Sequence, residues 1–298
     1  MTTGVCLIII FNHKYDKNLP ILRELYRNRF GTIRFLVPFY EGEDADVIPV
    51  YESSYQFQGF LAQARQELLD LNCTYYYVIS DDLILNPAIT ENNFMDELEM
   101  QKGDSLITQA VLPSKLWKEQ REPDAMKVFE QQWHTLYQPE IFTKQEAIKR
   151  YKEKGYEDFP LSTEQNRKIK DWMDAIKKYG IRQTIHYWHR NEYPYPILGG
   201  YSDWFIIPRT DFEIVSRKLG VTAAMGLFVE VAIPTIMVLY CKNVKVLSTT
   251  KYCDGALWEQ EEIDAFGKQY QYSISKLLKN FPQDKLYIHP IKLSKWKE

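Results

Sequence analysis

Two adjacent aspartates follow the apolar run Tyr75–Ile79, in the order Ser80-Asp81-Asp82. Carboxylates just past the carboxyl end of a strand stand where open α/β sheets bind ligands. Two such oxygens can hold Mg²⁺ or Mn²⁺ while the ion keeps positions open for a diphosphate. The alternative is that Asp81 caps the next turn and Asp82 is merely solvated. A second group is Leu198-Gly199-Gly200-Tyr201-Ser202-Asp203-Trp204-Phe205. Paired glycines before a strand allow a ligand close to the backbone, and an aromatic there can stack on a ring; an ordinary loop-to-strand turn has the same look. Glu230 is a lone carboxylate inside the apolar stretch Val221–Cys241. Such a group must be paired, neutralised or used. Burial would suit it to act as a general base toward a hydroxyl, and an ion pair with Arg209 or Arg217 is the structural alternative. Near the end lies His289-Pro290-Ile291-Lys292, where an imidazole can complete a metal shell and a lysine can face phosphate oxygens, unless the histidine simply sits on a solvated basic tail. His13, His134, His186 and His189 have no metal-site spacing and read as structural or acceptor-lining.

The elements that must position these groups alternate. Val5–Asn12 is a continuous apolar run, as in a strand covered on both faces. Leu19, Leu22, Leu25, Tyr26 and Phe30 form a helical stripe stopped by Gly31. Ile33–Phe39 is a second strand, and acidic Glu41–Asp46 a solvated loop. Phe57–Leu71 repeats at helical spacing, Tyr75–Ile79 is a strand, Asn92–Met100 a helix and Ser105–Leu112 a strand. This alternation predicts a mostly parallel central sheet with helices on both faces. Residues at about 115–190 are polar and helix-prone, and read as a helical insertion into one domain spanning 1–298. The pattern then resumes with a strand at Tyr201–Pro208, helices at Phe212–Leu219 and Val221–Leu239, and a short strand at Val244–Leu247. Six lysines against two acids make the tail from Ser273 locally basic.

Composition narrows the classes. Thirty-seven basic against forty acidic residues give a net charge of −3, which offers no general pull toward nucleic acid. Four scattered cysteines make neither a disulfide scaffold nor a zinc site. The chain lacks GxGxxG after its first strand, GxxxxGK[ST] and GxSxG, so dinucleotide redox chemistry, P-loop phosphoryl transfer and serine hydrolysis are poor fits. Val5–Phe11 is too short and lacks the flanks of a signal peptide. Val221–Cys241 is long enough to span a bilayer, but Glu230 at its midpoint would cost about 2–3 kcal/mol there. Pro234 cannot return a hydrogen bond to the Glu230 carbonyl. A buried helix in a cytoplasmic protein is expected, with peripheral membrane contact through lysine-bearing surfaces. The 21 Tyr, 15 Phe and 7 Trp suit carbohydrate stacking and core packing alike.

In order and spacing, these pieces resemble glycosyltransferases of the GT-A fold. The matching stretches are Val5–Asn12, Gln58-Gly59-Phe-Leu-Ala-Gln-Ala-Arg-Gln, Tyr77-Val-Ile-Ser-Asp-Asp-Leu-Ile-Leu-Asn-Pro87, Gly199–Arg209 and Leu227–Pro234, together covering roughly 5–112 and 196–292. The resemblance implies a GT-A-like α/β fold, a Rossmann-like three-layer arrangement, and transfer of a sugar from a nucleotide-diphosphate sugar, most simply a UDP-sugar. A carbohydrate or lipid-linked acceptor would supply the attacking hydroxyl, as in surface polysaccharide synthesis. It implies Mn²⁺ or Mg²⁺ held by Asp82 and His289, with Ser80 standing where the family's Asp-x-Asp motif has its first aspartate. Phe11, Asn12, Gln58, Ser80, Asp81 and Lys292 would face the nucleotide sugar. Gly200, Ser202, Asp203 and Trp204 would border the donor and acceptor, and Glu230 would be the base of an inverting reaction. A sugar-phosphate nucleotidyltransferase, or a binding protein that kept such a fold without its chemistry, are the competing readings.

Overall fold

The computed structural model describes residues 3–111, 125, 128–129, 138–156, 173, 176–177, 180–182, 185 and 194–297. Most of the expected insertion, with His134, His186 and His189, lies outside the described residues. Within it, the helix α5 (Lys144–Glu153) is described, closed at its start by a capping box between Thr143 and Glu146.

Seven strands form one sheet. They are β1 (Thr3–Ile10), β2 (Thr32–Pro38), β3 (Val47–Val50), β4 (Cys73–Ser80), β6 (Asp104–Ile107), β7 (Trp204–Pro208) and β8 (Asn243–Val246). Their order is β3-β2-β1-β4-β7-β6-β8. β7 runs antiparallel to both β4 and β6, and the other pairings are parallel. The sheet is therefore mostly parallel, in a three-layer α/β arrangement. The alternation of β1 side chains explains the layers: Cys6, Ile8 and Ile10 enter one core, while Val5, Leu7, Ile9 and Phe11 enter the other.

The first core lies under α2 (Gln58–Gln63), α3 (Arg65–Asp70), α6 (Arg209–Ala224) and α7 (Val229–Tyr240). α2 and α6 approach closely at small residues. A Cβ on Gly59 would stand 2.9 Å from Ala223, and one on Gly220 2.6 Å from Ala62. The second core lies under α1 (Leu19–Tyr26), α4 (Phe94–Glu97), α8 (Gln260–Gln269) and α9 (Ile274–Lys279). A separate antiparallel ribbon pairs β5 (Ile84–Leu85) with β9 (Tyr287–Ile288).

Several boundaries differ from the sequence expectation. β3 falls next to the loop expected at Glu41–Asp46 and contains Pro49; a proline fits there because β3 is an edge strand. The Phe57–Leu71 helix divides at Ala64, and the Asn92–Met100 helix shrinks to one turn. The Ser105–Leu112 strand ends at Ile107, beyond which Val111 makes an isolated bridge to Gly199.

The largest correction concerns Val221–Leu239, expected as one buried helix. α6 runs through Ala224, the chain turns at Gly226 with φ 77°, and α7 starts at Val229. A left-handed glycine just past a helix end is the usual stop signal; an apolar run on both sides conceals it. Glu230 is consequently in the first turn of α7 and half-buried, not at mid-helix. Among the described residues, no helix is long and apolar enough to cross a membrane.

Candidate active site

In the sheet order, β1 leads to β2 and β3 on one side, and the chain then returns to place β4 on the other. Open α/β sheets bind ligands at the carboxyl ends of such a pair, because the loops leave in opposite directions and open a crevice. Asn12 lies two residues past the end of β1, and Asp81 directly follows β4. The two ends are tied: Asp81 N–H donates to the Ile10 carbonyl at 2.9 Å, and Asn12 N–H donates to Asp81 Oδ1 at 3.2 Å. Asn18, just before α1, donates its amide to Asp81 Oδ2 at 3.3 Å. Asp81 is thus 3% exposed, with both carboxylate oxygens engaged in holding the β1–α1 loop. Burial, and then the neighbouring Asp82 charge, push its carboxyl up to about 7.

Asp82 faces differently. The β5–β9 ribbon pairs Ile84 with Ile288, so the residue after β9 arrives opposite the residues before β5. Ile291 N–H donates to the Asp82 carbonyl at 2.7 Å and fixes that approach. His289 Nε2 comes to 3.1 Å from Asp82 Oδ1. Oδ1 is buried, and the imidazole at 3.1 Å is the contact that offsets its burial. Burial alone would raise the Asp82 carboxyl, but the adjacent imidazole outweighs it and holds it below the usual range. Burial opposes charge on His289 too, and Asp82, Asp203 and Asp81 together raise it above the ordinary imidazole value. The other ring nitrogen, Nδ1, shares a 2.5 Å hydrogen bond with the Tyr201 hydroxyl. Burial raises Asp203, which also interacts with that hydroxyl. Lys292, next to the anchored Ile291, is exposed.

The Gly-Gly segment is placed by a missing donor. Pro234 has no N–H, so the Glu230 carbonyl in α7 has no partner four residues on. Gly200 N–H fills that position at 2.9 Å. Thr235 extends the link, its hydroxyl accepting from Leu198 N–H at 2.9 Å and donating to the Leu198 carbonyl at 3.2 Å. A side chain at Gly200 would put a Cβ 2.1 Å from the Gln109 carbonyl oxygen. The first turn of α7, where helix partial charge favours a carboxylate, is thereby brought against the chain leading into Asp203. Arg209 donates to the Leu69 carbonyl and Tyr76, and Arg217 pairs with Glu140.

Asp81, Asp82, Asp203 and His289 therefore converge. Other expected residues are core or scaffold. Phe11 is fully buried, edge-on to Phe35, so the β1 end presents Asn12 and no ring. Trp204 is 1% exposed between Tyr77 and Tyr287, which removes it from any pocket wall. Ser202 is buried and donates to the Gly200 carbonyl at 2.8 Å. Gln58 is buried and donates to the Leu227 carbonyl at 2.9 Å, tying α2 to the α6–α7 turn and leaving the sheet edge. Ser80 is buried, its hydroxyl lacking an aligned partner.

Sequence reasoning missed the rings that are presented. Tyr15, Phe39, Tyr51 and Tyr55 are all more than half exposed on the segments that follow β1, β2 and β3. Phe39 and Tyr51 meet edge-to-face at 5.8 Å, and Phe39 holds a left-handed φ of 54°. That conformation is strained for an aromatic residue. Periodicity could not have marked these rings, because each falls one residue or a few past a strand end.

Among the described residues, no group of three or more His, Cys, Asp or Glu is arranged to hold a metal ion. No known protein family and no curated protein matches the chain in sequence.

Proposed function

We propose that the protein is a glycosyltransferase of the GT-A kind, moving a sugar from a nucleotide-diphosphate sugar to a hydroxyl acceptor. The observation that carries the reading is the meeting of Asp82 and His289, delivered by distant parts of the chain to the crevice between the β1 and β4 ends. Sequence proximity does not bring them together; the β5–β9 ribbon does. A mostly parallel sheet with a reversed strand beside β4 is compatible with the resemblance.

The pair fits a divalent ion in its donor chemistry. A buried carboxylate oxygen and an imidazole nitrogen face each other at 3.1 Å, both of them donor atoms that such an ion accepts. Two protein ligands are enough for Mg²⁺ or Mn²⁺ when a diphosphate and water fill the remaining positions. When bound, the ion neutralises charge on the departing nucleotide diphosphate. Lys292, exposed and adjacent in sequence to the anchored Ile291, would face phosphate oxygens, and the rings at Tyr15 and Phe39 offer surfaces for the base. Glu230 takes the proton from the acceptor hydroxyl in an inverting transfer.

The test is incubation with UDP-sugars, with and without Mn²⁺, following hydrolysis and the melting temperature. Metal-dependent hydrolysis together with stabilisation by UDP is expected. Asp82→Asn should abolish both with the fold intact, and near-normal turnover removes the metal role. Glu230→Gln should slow turnover about 10²-fold while leaving UDP binding unchanged. A loss below about threefold makes Glu230 structural, since a missing base costs far more.

A further inference from the structure

A second cleft, of about 470 Å³, opens at the carboxyl ends of β6 and β8. That is within the usual size range for small-ligand sites. Its walls include Thr108, Gln109, Ser248, Tyr252, Cys253 and Asp254. Thr108 is 6% exposed, and its hydroxyl has no hydrogen-bond partner. A buried hydroxyl in that state is costly unless something else completes it. Asp254 accepts from Tyr287 O–H at 2.9 Å and Ala256 N–H at 2.6 Å, both on Oδ1. That leaves Oδ2 to accept from a ligand.

The charge pattern selects the ligand. The lining carries one carboxylate and, among the described residues, no lysine, arginine or histidine. Two lysines stand just behind the walls, Lys285 donating to the Asp254 carbonyl at 2.7 Å and Lys251 lying 5.4 Å from the Tyr252 ring, but neither lines the cleft, where a phosphate would face the Asp254 carboxylate. A neutral polyol can give its hydroxyl protons to Asp254 and Gln109, receive the Thr108 proton, and lay its apolar face on Tyr252 and Val111. The cleft also adjoins the acid cluster. Its Asp254 precedes Gly255, whose carbonyl accepts from His289 N–H at 3.2 Å. On the other side, Val111 and Gly199 exchange backbone hydrogen bonds of 2.9 and 2.7 Å.

We propose that this cleft, built on Thr108 and Asp254, binds a neutral carbohydrate. That this carbohydrate is the acceptor glycan rests on the transferase reading; that the cleft holds a sugar does not.

Cys253 supplies the readout, since it is exposed while Cys6, Cys73 and Cys241 are buried. The rate of its alkylation by iodoacetamide is measured with and without methyl α- and β-glycosides of glucose, galactose, mannose and N-acetylglucosamine. Saturation-transfer NMR on the same glycosides runs alongside. At least one glycoside is expected to show transfer and to slow alkylation several-fold, while inorganic phosphate does neither. Thr108→Val, which keeps shape and removes the hydroxyl, should weaken that glycoside about five- to tenfold, the worth of one hydrogen bond. Asp254→Asn is the second variant, and a comparable loss is expected. The proposal is overturned if no glycoside protects Cys253, or if phosphate protects it equally. It is also overturned if both variants bind as the wild type does. Glycoside binding without any response to UDP and Mn²⁺ keeps the sugar cleft and removes the transferase; the reverse result keeps the transferase and removes the cleft.

Discussion

Asp81 and Asp82 are chemically identical neighbours with opposite environments. Asp81 is spent on the β1–α1 loop and pushed up to about 7, while Asp82 is held low by His289. The stability consequence of Asp81 has a definite sign. Its folded value lies above its unfolded 3.8, so the folded state retains a proton that the unfolded chain gives up. Its contribution is fully present below pH 3.8 and is lost as pH rises through about 7. The full difference is on the order of 4 kcal/mol. Asp81→Asn should therefore gain stability relative to the wild type between pH 5 and pH 8. Urea unfolding of both proteins at the two pH values checks this; a constant difference means that Asp81 does not titrate in that window. The pair was legible in the sequence because two acids after an apolar run are conspicuous. Their division of labour was not, because it depends on Asn12, Asn18 and His289, which only the fold brings near. Residue type misled at Phe11 and Trp204, since an aromatic near a strand end can as well pack inward as stand on the edge.

The elements show a similar pattern, with most strands readable and their ends less so. Continuous apolar runs located β1, β2, β4 and β7 because strands buried on both faces leave an unbroken signature. β3 escaped because four residues with an internal proline are too short for any period. α9 escaped because its lysines read as part of a basic tail, although Ile274 and Leu277 pack into the second core. The α6–α7 break escaped because apolar residues continue across Gly226. Two glycines here carry different constraints and should respond differently. At Gly226, φ is 77° with nothing within 4 Å of a Cβ, so alanine there costs only the left-handed backbone, about 1–2 kcal/mol. At Gly200 a Cβ would collide with the Gln109 backbone oxygen at 2.1 Å. Gly200→Ala should cost about 3 kcal/mol and displace the segment from the Glu230 carbonyl. Thermal unfolding of the two variants ranks them, and equal losses would mean that the Gly200 loop yields without strain.

At the scale of the whole molecule, the site is a product of chain order. The switch between β1 and β4 opens the crevice, and the β5–β9 ribbon carries the last tenth of the chain back across it to set His289 beside Asp82. A ligand that bridges these parts joins segments far apart in sequence, so its binding adds to global stability through mass action. The increment should depend on pH in one direction. The three surrounding carboxylates raise His289 above the ordinary imidazole value, so in acid its ring is protonated. A protonated ring cannot ligate, and metal binding must displace that proton. The stabilisation given by UDP with Mn²⁺ should therefore grow as pH rises from 6 to 8, while that given by UDP alone should not. In His289→Gln, which keeps a neutral acceptor but has no titrating ring, the metal-dependent increment should be smaller and lose most of its slope with pH. A wild-type increment that stays flat across this range, or falls, would take His289 out of the cation site and leave it as the partner of Asp82 alone.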